Sequence, residues 1–429
     1  MARALTPQDA HVIMNSLVRQ ATGQQAITAV DASTFISAGE TVLAQGKEAT
    51  MNALSLIIGK TLVASRPYKA RLALLNALNT GVYSHRLRKI SYYSRDALAA
   101  GFTNTDLFTN HADEFTAGEN ESGGTPQSTK SQYEQVQAMP LEINFAGSEV
   151  WQDAITIYED VLEQAFTSEE SFNRFIAGIL TEHANDIESQ RETFNRMALC
   201  SEIIKRYYLA TDASNNYIPS GAINLTKAFN DKFGTSYTSA QLRSTYLKDF
   251  LEFLVAKVKE TSDRLTERGT AYHDAYEKTV NGVKYHILRH TPYDRQRMML
   301  FGPLLRDAEA QVLPEIFQPG YLNIDTQFEK VEFWQSNASD TARPQIKMQS
   351  AFTNHSNGIQ STTGSITLDY VVGVLFDEDA LMTDFQLERA TTSPLEARKF
   401  YRTNWLSFSK NVIGDQTENF VIFYMADPT

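Results

Sequence analysis

The stretch from Thr167 to Ala210 constrains the fold more than any other part of the chain. No proline interrupts it, and Gly178 is its only internal glycine. Phe172, Phe175, Ile176, Ile179, Leu180, His183, Ile187, Phe194, Met197, Ile204 and Tyr208 recur mostly at three- and four-residue steps, which is one face of a helix. Glu169, Glu170, Arg174, Glu182, Asp186, Glu188, Arg191 and Lys205 read as the opposite, solvated side. Thr167 reads as the N-cap, and Glu170, three residues on, closes a capping box with it. At 1.5 Å per residue such a helix spans about 60 Å, more than most domains are wide. The heptad is too loose and too aromatic for a two-stranded coiled coil. The stretch therefore predicts a spine across which other elements lie.

The rest of the chain has ample material to cover a spine. Its 429 residues are 42% hydrophobic, with 24 Phe and 19 Tyr, enough for large cores. The net charge of −12 argues against gripping nucleic acid by phosphate neutralisation. A single cysteine, Cys200, allows no intrachain disulfide and fits a reducing compartment. The opening residues lack the apolar core of a signal peptide, and runs such as Ala53–Ile58 and Tyr370–Phe376 are too short to span a bilayer. These features predict a soluble protein with no membrane partner.

Taken in order, Thr6-Pro7 starts a helix that is predicted to run to Arg19. Ala21–Thr34 shows no clear period and reads as a mobile or docked arm, and a second helix is predicted from Glu48 to Val63. From Arg86 to Tyr92 a strand would put Arg86, Arg88, Ile90 and Tyr92 on one side and Leu87, Lys89 and Ser91 on the other. A long polar stretch follows, and Tyr133–Phe145 returns as a strand with Met139, Leu141, Ile143 and Phe145 on one face. Two strands alone in water are marginal, so this hairpin needs a surface from its own chain or from a neighbour. Ala154–Tyr158 is another short strand. Beyond Ala210 helices are predicted at Thr226–Phe233 and Ser239–Arg268, and strands at Tyr285–Leu288, Met298–Phe301, Phe328–Phe333 and Ile366–Phe376. The chain closes on a predicted hairpin, Phe400–Phe408 and Asn419–Met425, turned by Asn411–Gln416. Helices and strands mix without a βαβ rhythm, so the class is α+β.

Chemistry is sparse. Gly59-Lys60-Thr61 resembles the end of a phosphate loop, but Leu54 stands where that loop needs glycine, so it reads as helix interior. His286 and His290 have a metal-ligand spacing, but the intervening Ile287-Leu288-Arg289 lacks the Glu of a zinc-protease helix and Val283–Leu288 reads as strand, so no metal or cofactor is expected. Asp377, Glu378 and Asp379 read as a solvated turn after an apolar strand; the enzymatic alternative is a hydrolase using Asp377 and Asp379. His183 and Cys200 read as packing residues. No catalytic residue is expected, and the absence of a constellation in so long a chain favours a structural role.

The order of parts, together with Arg66-Pro-Tyr-Lys, the run from Pro140-Leu-Glu-Ile-Asn-Phe to Trp151-Gln-Asp, Val371-Val-Gly-Val-Leu-Phe-Asp-Glu-Asp-Ala-Leu and Asp415-Gln-Thr-Glu-Asn-Phe-Val-Ile-Phe, resembles the major capsid proteins of tailed bacteriophages. The resemblance implies the α+β fold named after the HK97 capsid. It divides the chain into an N-arm region (1–82), an E-loop (83–145), a P-domain with the spine (146–211), an A-domain (212–397) and a closing hairpin of the P-domain (398–429). It implies self-assembly into hexamers and pentamers of an icosahedral shell in the virion, built in the host cytoplasm around loosely held double-stranded DNA. Portal, scaffolding and decoration proteins would be its partners, and another virion role, portal or tail, is the nearest alternative. The resemblance also raises a Lys130–Asn411 cross-link. For contacts between subunits, Arg86, Arg88 and Lys89 are the expected basic side, with Glu182 and Asp186 on the acidic side.

Overall fold

A computed structural model describes residues 7–22, 28–44, 76–77, 86–95, 139–146, 149–165, 168–212, 217–280, 283–311, 327–354, 358–362, 364–394, 396 and 398–427. The predicted helix 48–63, the Gly59–Thr61 motif, the tip of the polar excursion and Lys130 lie outside them.

The spine is a single helix, Glu169–Thr211, of 43 residues. Its N-cap is Ser168 rather than Thr167: the Ser168 hydroxyl accepts the backbone N–H of Ser171 at 3.1 Å, satisfying a donor that the first turn leaves unpaired. Two helices pack on its N-terminal half. Pro7–Thr22 extends slightly past the predicted Arg19, and Ala32–Ala44 begins in the last residues of the stretch that reads as an aperiodic arm, Ala21–Thr34, and runs on beyond it. Asp31 caps the second helix by accepting the N–H of Thr34 at 2.8 Å, and Phe35, Ala38 and Val42 then face inward. The rings of Phe35 and Phe172 meet edge-on at 5.5 Å. The two described N-terminal helices are thus docked on the spine.

The C-terminal half of the spine enters the main core. Leu199, Cys200, Ile203 and Ile204 pack with residues of the helices Leu225–Phe233 and Leu247–Thr266 and of a five-stranded sheet. That sheet runs in the order Gln327–Val331, Gln296–Phe301, Tyr370–Asp377, Phe420–Met425, Ala222–Asn224. Its two central strands read as nearly continuous apolar runs because both faces are covered. Gly373 is required where strand 370–377 crosses Gln296–Phe301: a Cβ there would stand 2.7 Å from the Met299 carbonyl oxygen. The core is continuous across residue 212, so the expected boundary there is not a break in packing.

A second sheet, of four strands, runs Asn76–Ala77, Leu381–Thr392, Tyr401–Gly414, Glu149–Tyr158. The expected closing hairpin is therefore corrected. Strand Tyr401–Gly414 pairs with Leu381–Thr392 and Glu149–Tyr158, whereas Phe420–Met425 lies in the other sheet. Asn411 is a strand residue opposite Asp384, not part of a turn. Residues 415–419 make the passage between the sheets.

The spine's faces also differ from the periodic reading. Met197 is 59% exposed, while Glu188 and Lys205 are buried. Beyond residue 195 the helix is wrapped on more sides than one apolar stripe can reveal. The side chains of Glu182 and His183 lie outside the described residues.

Candidate functional site

The predicted hairpin strands are Arg86–Tyr92 and Pro140–Ala146, paired antiparallel with Lys89 opposite Ile143 and Ser91 opposite Leu141. Its two faces have different surroundings. Ile90 and Tyr92 are 49% and 64% exposed, whereas Ser91 is buried and Lys89, Leu141, Ile143 and Phe145 are half-buried. The inner face meets a cluster of charges contributed by four parts of the chain.

At its centre is Arg206 of the spine, with no exposed surface. Its Nε donates to Glu202 at 2.7 Å, and its terminal nitrogens donate to the carbonyls of Asp415, Gln416 (3.1 Å) and Glu418 (3.0 Å). Lys205 donates to Glu202 at 2.5 Å and to the Gly414 carbonyl at 3.3 Å. The strand comes so close here that a Cβ on Gly414 would stand 2.4 Å from a Glu202 carboxylate oxygen, which explains glycine at that position. Asp415 is also an Asx turn: its carboxylate accepts the N–H of Thr417 at 2.9 Å and the Thr417 hydroxyl at 2.7 Å.

The hairpin joins through Lys89, whose ammonium donates to Asp415 and, at 2.5 Å, to Glu418. Arg289 pairs with Glu418 at 3.0 Å and donates to the Ser91 hydroxyl at 2.8 Å. Burial alone would raise the pKa of Asp415, but Lys89 and the bonds from Thr417 outweigh it and hold it below its ordinary value. Burial pushes Glu418 upward despite Lys89 and Arg289. Glu202 is lowered, its burial outweighed by Lys205 and Arg206. Asn419 extends the network: its amide oxygen lies 2.9 Å from His273 Nδ1, and its amide nitrogen donates to the Thr291 hydroxyl at 3.1 Å.

Thr291 in turn donates to Asp377 at 2.9 Å. Asp377 is buried, its neighbours Glu378 and Asp379 engage Arg295, and Glu378 accepts from Arg297 at 2.6 Å. The turn that read as merely solvated is thus a set of carboxylates tied to guanidinium groups, an arrangement that braces a strand end. Cys200 is buried with its thiol pushed up to about 12 by desolvation, a packing residue without thiolate character. Among the described residues no group of three His, Cys, Asp or Glu side chains is placed to hold a metal ion. No helix among them is long and apolar enough to cross a membrane.

Residues 89–424, from the hairpin lysine to the last strand, match the family model described as Phi29-like phage major capsid protein. The chain belongs to this family. It is a structural subunit of a phage capsid, located in the virion and assembling with copies of itself. No curated protein matches it in sequence. Among solved structures it is similar to chains in the capsid of Staphylococcus phage Andhra (10% identity, 83% of this chain and 84% of that one, TM-score 0.47) and to one in the head fiber and inner core protein gp22 structure of bacteriophage P68 (10%, 83% and 85%, 0.46). A chain from the capsid of cyanophage P-SCSP1u is similar at 10% identity, 82% and 86% coverage and a TM-score of 0.40.

Of the residues expected at subunit contacts, Lys89 is engaged inside its own subunit, by Asp415 and Glu418. Asp186 is exposed on the spine. The side chains of Arg86, Arg88 and Glu182 lie outside the described residues. The cluster's other members, Glu202, Arg206, Arg289 and Glu418, escaped the sequence reading. The pattern Asp415-x-Thr417 is a local turn signal that could have flagged one corner; the partners lie more than 100 residues away.

Proposed function

We propose that this capsid protein builds hexamers and pentamers of an icosahedral shell around double-stranded DNA, and that the hairpin 86–146 reaches over an adjacent subunit. The observation that carries this reading is the hairpin's outer face. Its inner face is anchored by charges, while Ile90 and Tyr92 stay exposed on a two-stranded sheet that cannot be stable by itself. A shell subunit has a use for such a surface, because a neighbour covers it. By strand alternation Arg86 and Arg88 belong with Ile90 and Tyr92, and the acidic side of a neighbouring spine, Asp186 and Glu182, is the proposed counterpart.

The domain order that fits is N-arm region 1–82, E-loop 83–145, P-domain from 146 with the spine, and A-domain 212–397. The four-stranded sheet goes to the P-domain, which takes strands Leu381–Thr392 and Asn76–Ala77 out of the A-domain and N-arm spans, and the last strand is reassigned to the A-domain sheet. A net charge of −12 suits a wall that packaged DNA slides past. Assembly in the host cytoplasm, with portal, scaffolding or decoration partners, completes the proposal.

Electron microscopy of the purified full-length protein tests it. Closed shells of uniform diameter, with five- and six-fold capsomers, are the expected result. Rings of one size alone would favour a portal or tail role, and a monodisperse monomer across salt and protein concentration would contradict the proposal.

A further inference from the structure

The hairpin needs an anchor, and the described contacts show where it is. Lys89 lies mid-strand, and its ammonium meets two carboxylates of the passage 415–419. Arg289 reinforces the same point by joining Glu418 to Ser91, two residues beyond the clamp on the same inner face. Just beyond, Ser94–Arg95 pairs with Tyr285 and His286, so the strand is also tethered past its end.

The receiving loop is the most heavily braced part of the cluster. Arg206 holds three of its carbonyls, the Gln416 carbonyl accepts the N–H of Asp274 at 2.9 Å, and the Gln416 amide donates to Asp274 at 3.1 Å and to the Tyr276 hydroxyl at 2.9 Å. A fixed loop and a marginal hairpin therefore meet at one lysine.

We propose that Lys89, clamped between Asp415 and Glu418, is a positioning residue that fixes the direction in which the hairpin leaves its subunit, and so its register on the next copy. This rests on the shell reading above. With Ser94–Arg95 held on Tyr285 and His286, a strand freed at Lys89 pivots about that point, and a swing of roughly 15° over its seven residues, about 23 Å, displaces its outer face by up to about 6 Å, more than the spacing between paired strands. The clamp controls such a swing because it acts through a short, doubly accepted ammonium rather than through adaptable apolar contacts.

The test uses the full-length protein with Lys89→Met, which keeps much of the shape and removes the donors, Glu418→Gln, which weakens one acceptor, and Lys89→Arg, which keeps the charge. Amide exchange is read on unassembled subunits, and particle yield and diameter on assembled ones. For Lys89→Met and Glu418→Gln, the amides of residues 86–92 are expected to exchange at least about tenfold faster, while those of residues 199–206 and 420–425 stay unchanged. Shells from these two variants should be fewer and broadly distributed in diameter, and Lys89→Arg should behave as the parent. Unchanged exchange in the hairpin of Lys89→Met overturns the proposal, as does equal acceleration across the spine and the last strand. A loosened hairpin that still gives shells of parental yield and diameter overturns the positioning role and leaves the shell reading intact. A parent protein that never forms shells or capsomers contradicts the shell reading instead, and the positioning role falls with it.

Discussion

Arg206 carries a charge into the middle of the subunit, and the surrounding atoms answer it one by one: a carboxylate on its own helix and three carbonyls of the passage between the sheets. Breaking such a set costs far more than forming it gains, because the partners stay buried. Arg206→Met is expected to lower subunit stability by about 3–5 kcal/mol, checked by thermal melting of unassembled protein. A loss under about 1 kcal/mol would show that the passage holds itself. The same cluster sets the response to acid. Glu202 and Asp415 have folded pKa values below their unfolded ones, so their contribution is present above the usual carboxylate range and is lost as pH falls through it. Glu418, raised by burial, takes its proton before the unfolded chain does and offsets part of that loss. His273 is lowered by burial, against bonds from Ile287 and Asn419, so the unfolded chain protonates first and stability begins to fall below about pH 6.5. The melting temperature should thus decline in two stages, one below about pH 6.5 and one below about pH 4.5, and His273→Gln should flatten the upper stage. A parental profile that is flat between pH 7 and 5 would contradict this role for His273.

The long helix was legible from one property, an uninterrupted three-and-four period, and its extent was read to within two residues at each end. Its environment was not. Ile203 and Ile204 are fully buried and Met197 is not, because the helix is wrapped differently along its length. Ile203→Ala should cost about 2–5 kcal/mol and Met197→Lys less than about 0.5. Similar losses in chemical denaturation would mean the assignment of faces is wrong. The strands Arg86–Tyr92 and Gln296–Phe301 were legible because each is short and patterned. The helix Ala32–Ala44 was missed although Asp31, Thr34, Phe35, Ala38 and Val42 carry a capping and spacing signal. The last two strands were misjoined for another reason. Two consecutive strands separated by a polar stretch resemble a hairpin, and nothing local says that Arg206, over 200 residues upstream, holds that stretch as a passage between sheets.

At the scale of the whole molecule, the cluster is where the spine, the two sheets and the hairpin are joined. That convergence is a matter of long-range contact, so the sequence carried the parts and their order but not their meeting point. It also anchors the hairpin's paired strands independently of the excursion beyond them. Replacing residues 103–131 with a short Gly-Ser turn leaves Lys89, Ser91 and the paired strands in place, and shortening a loop changes closure entropy by only about 1 kcal/mol. Thermal melting of the unassembled variant beside its particle yield by sedimentation is the most direct test of the central claim, that the hairpin works between subunits. The account predicts a melting temperature close to the parent's together with loss of closed shells, assembly stopping at capsomers or earlier. A variant that melts early yet still forms full-sized shells would contradict it.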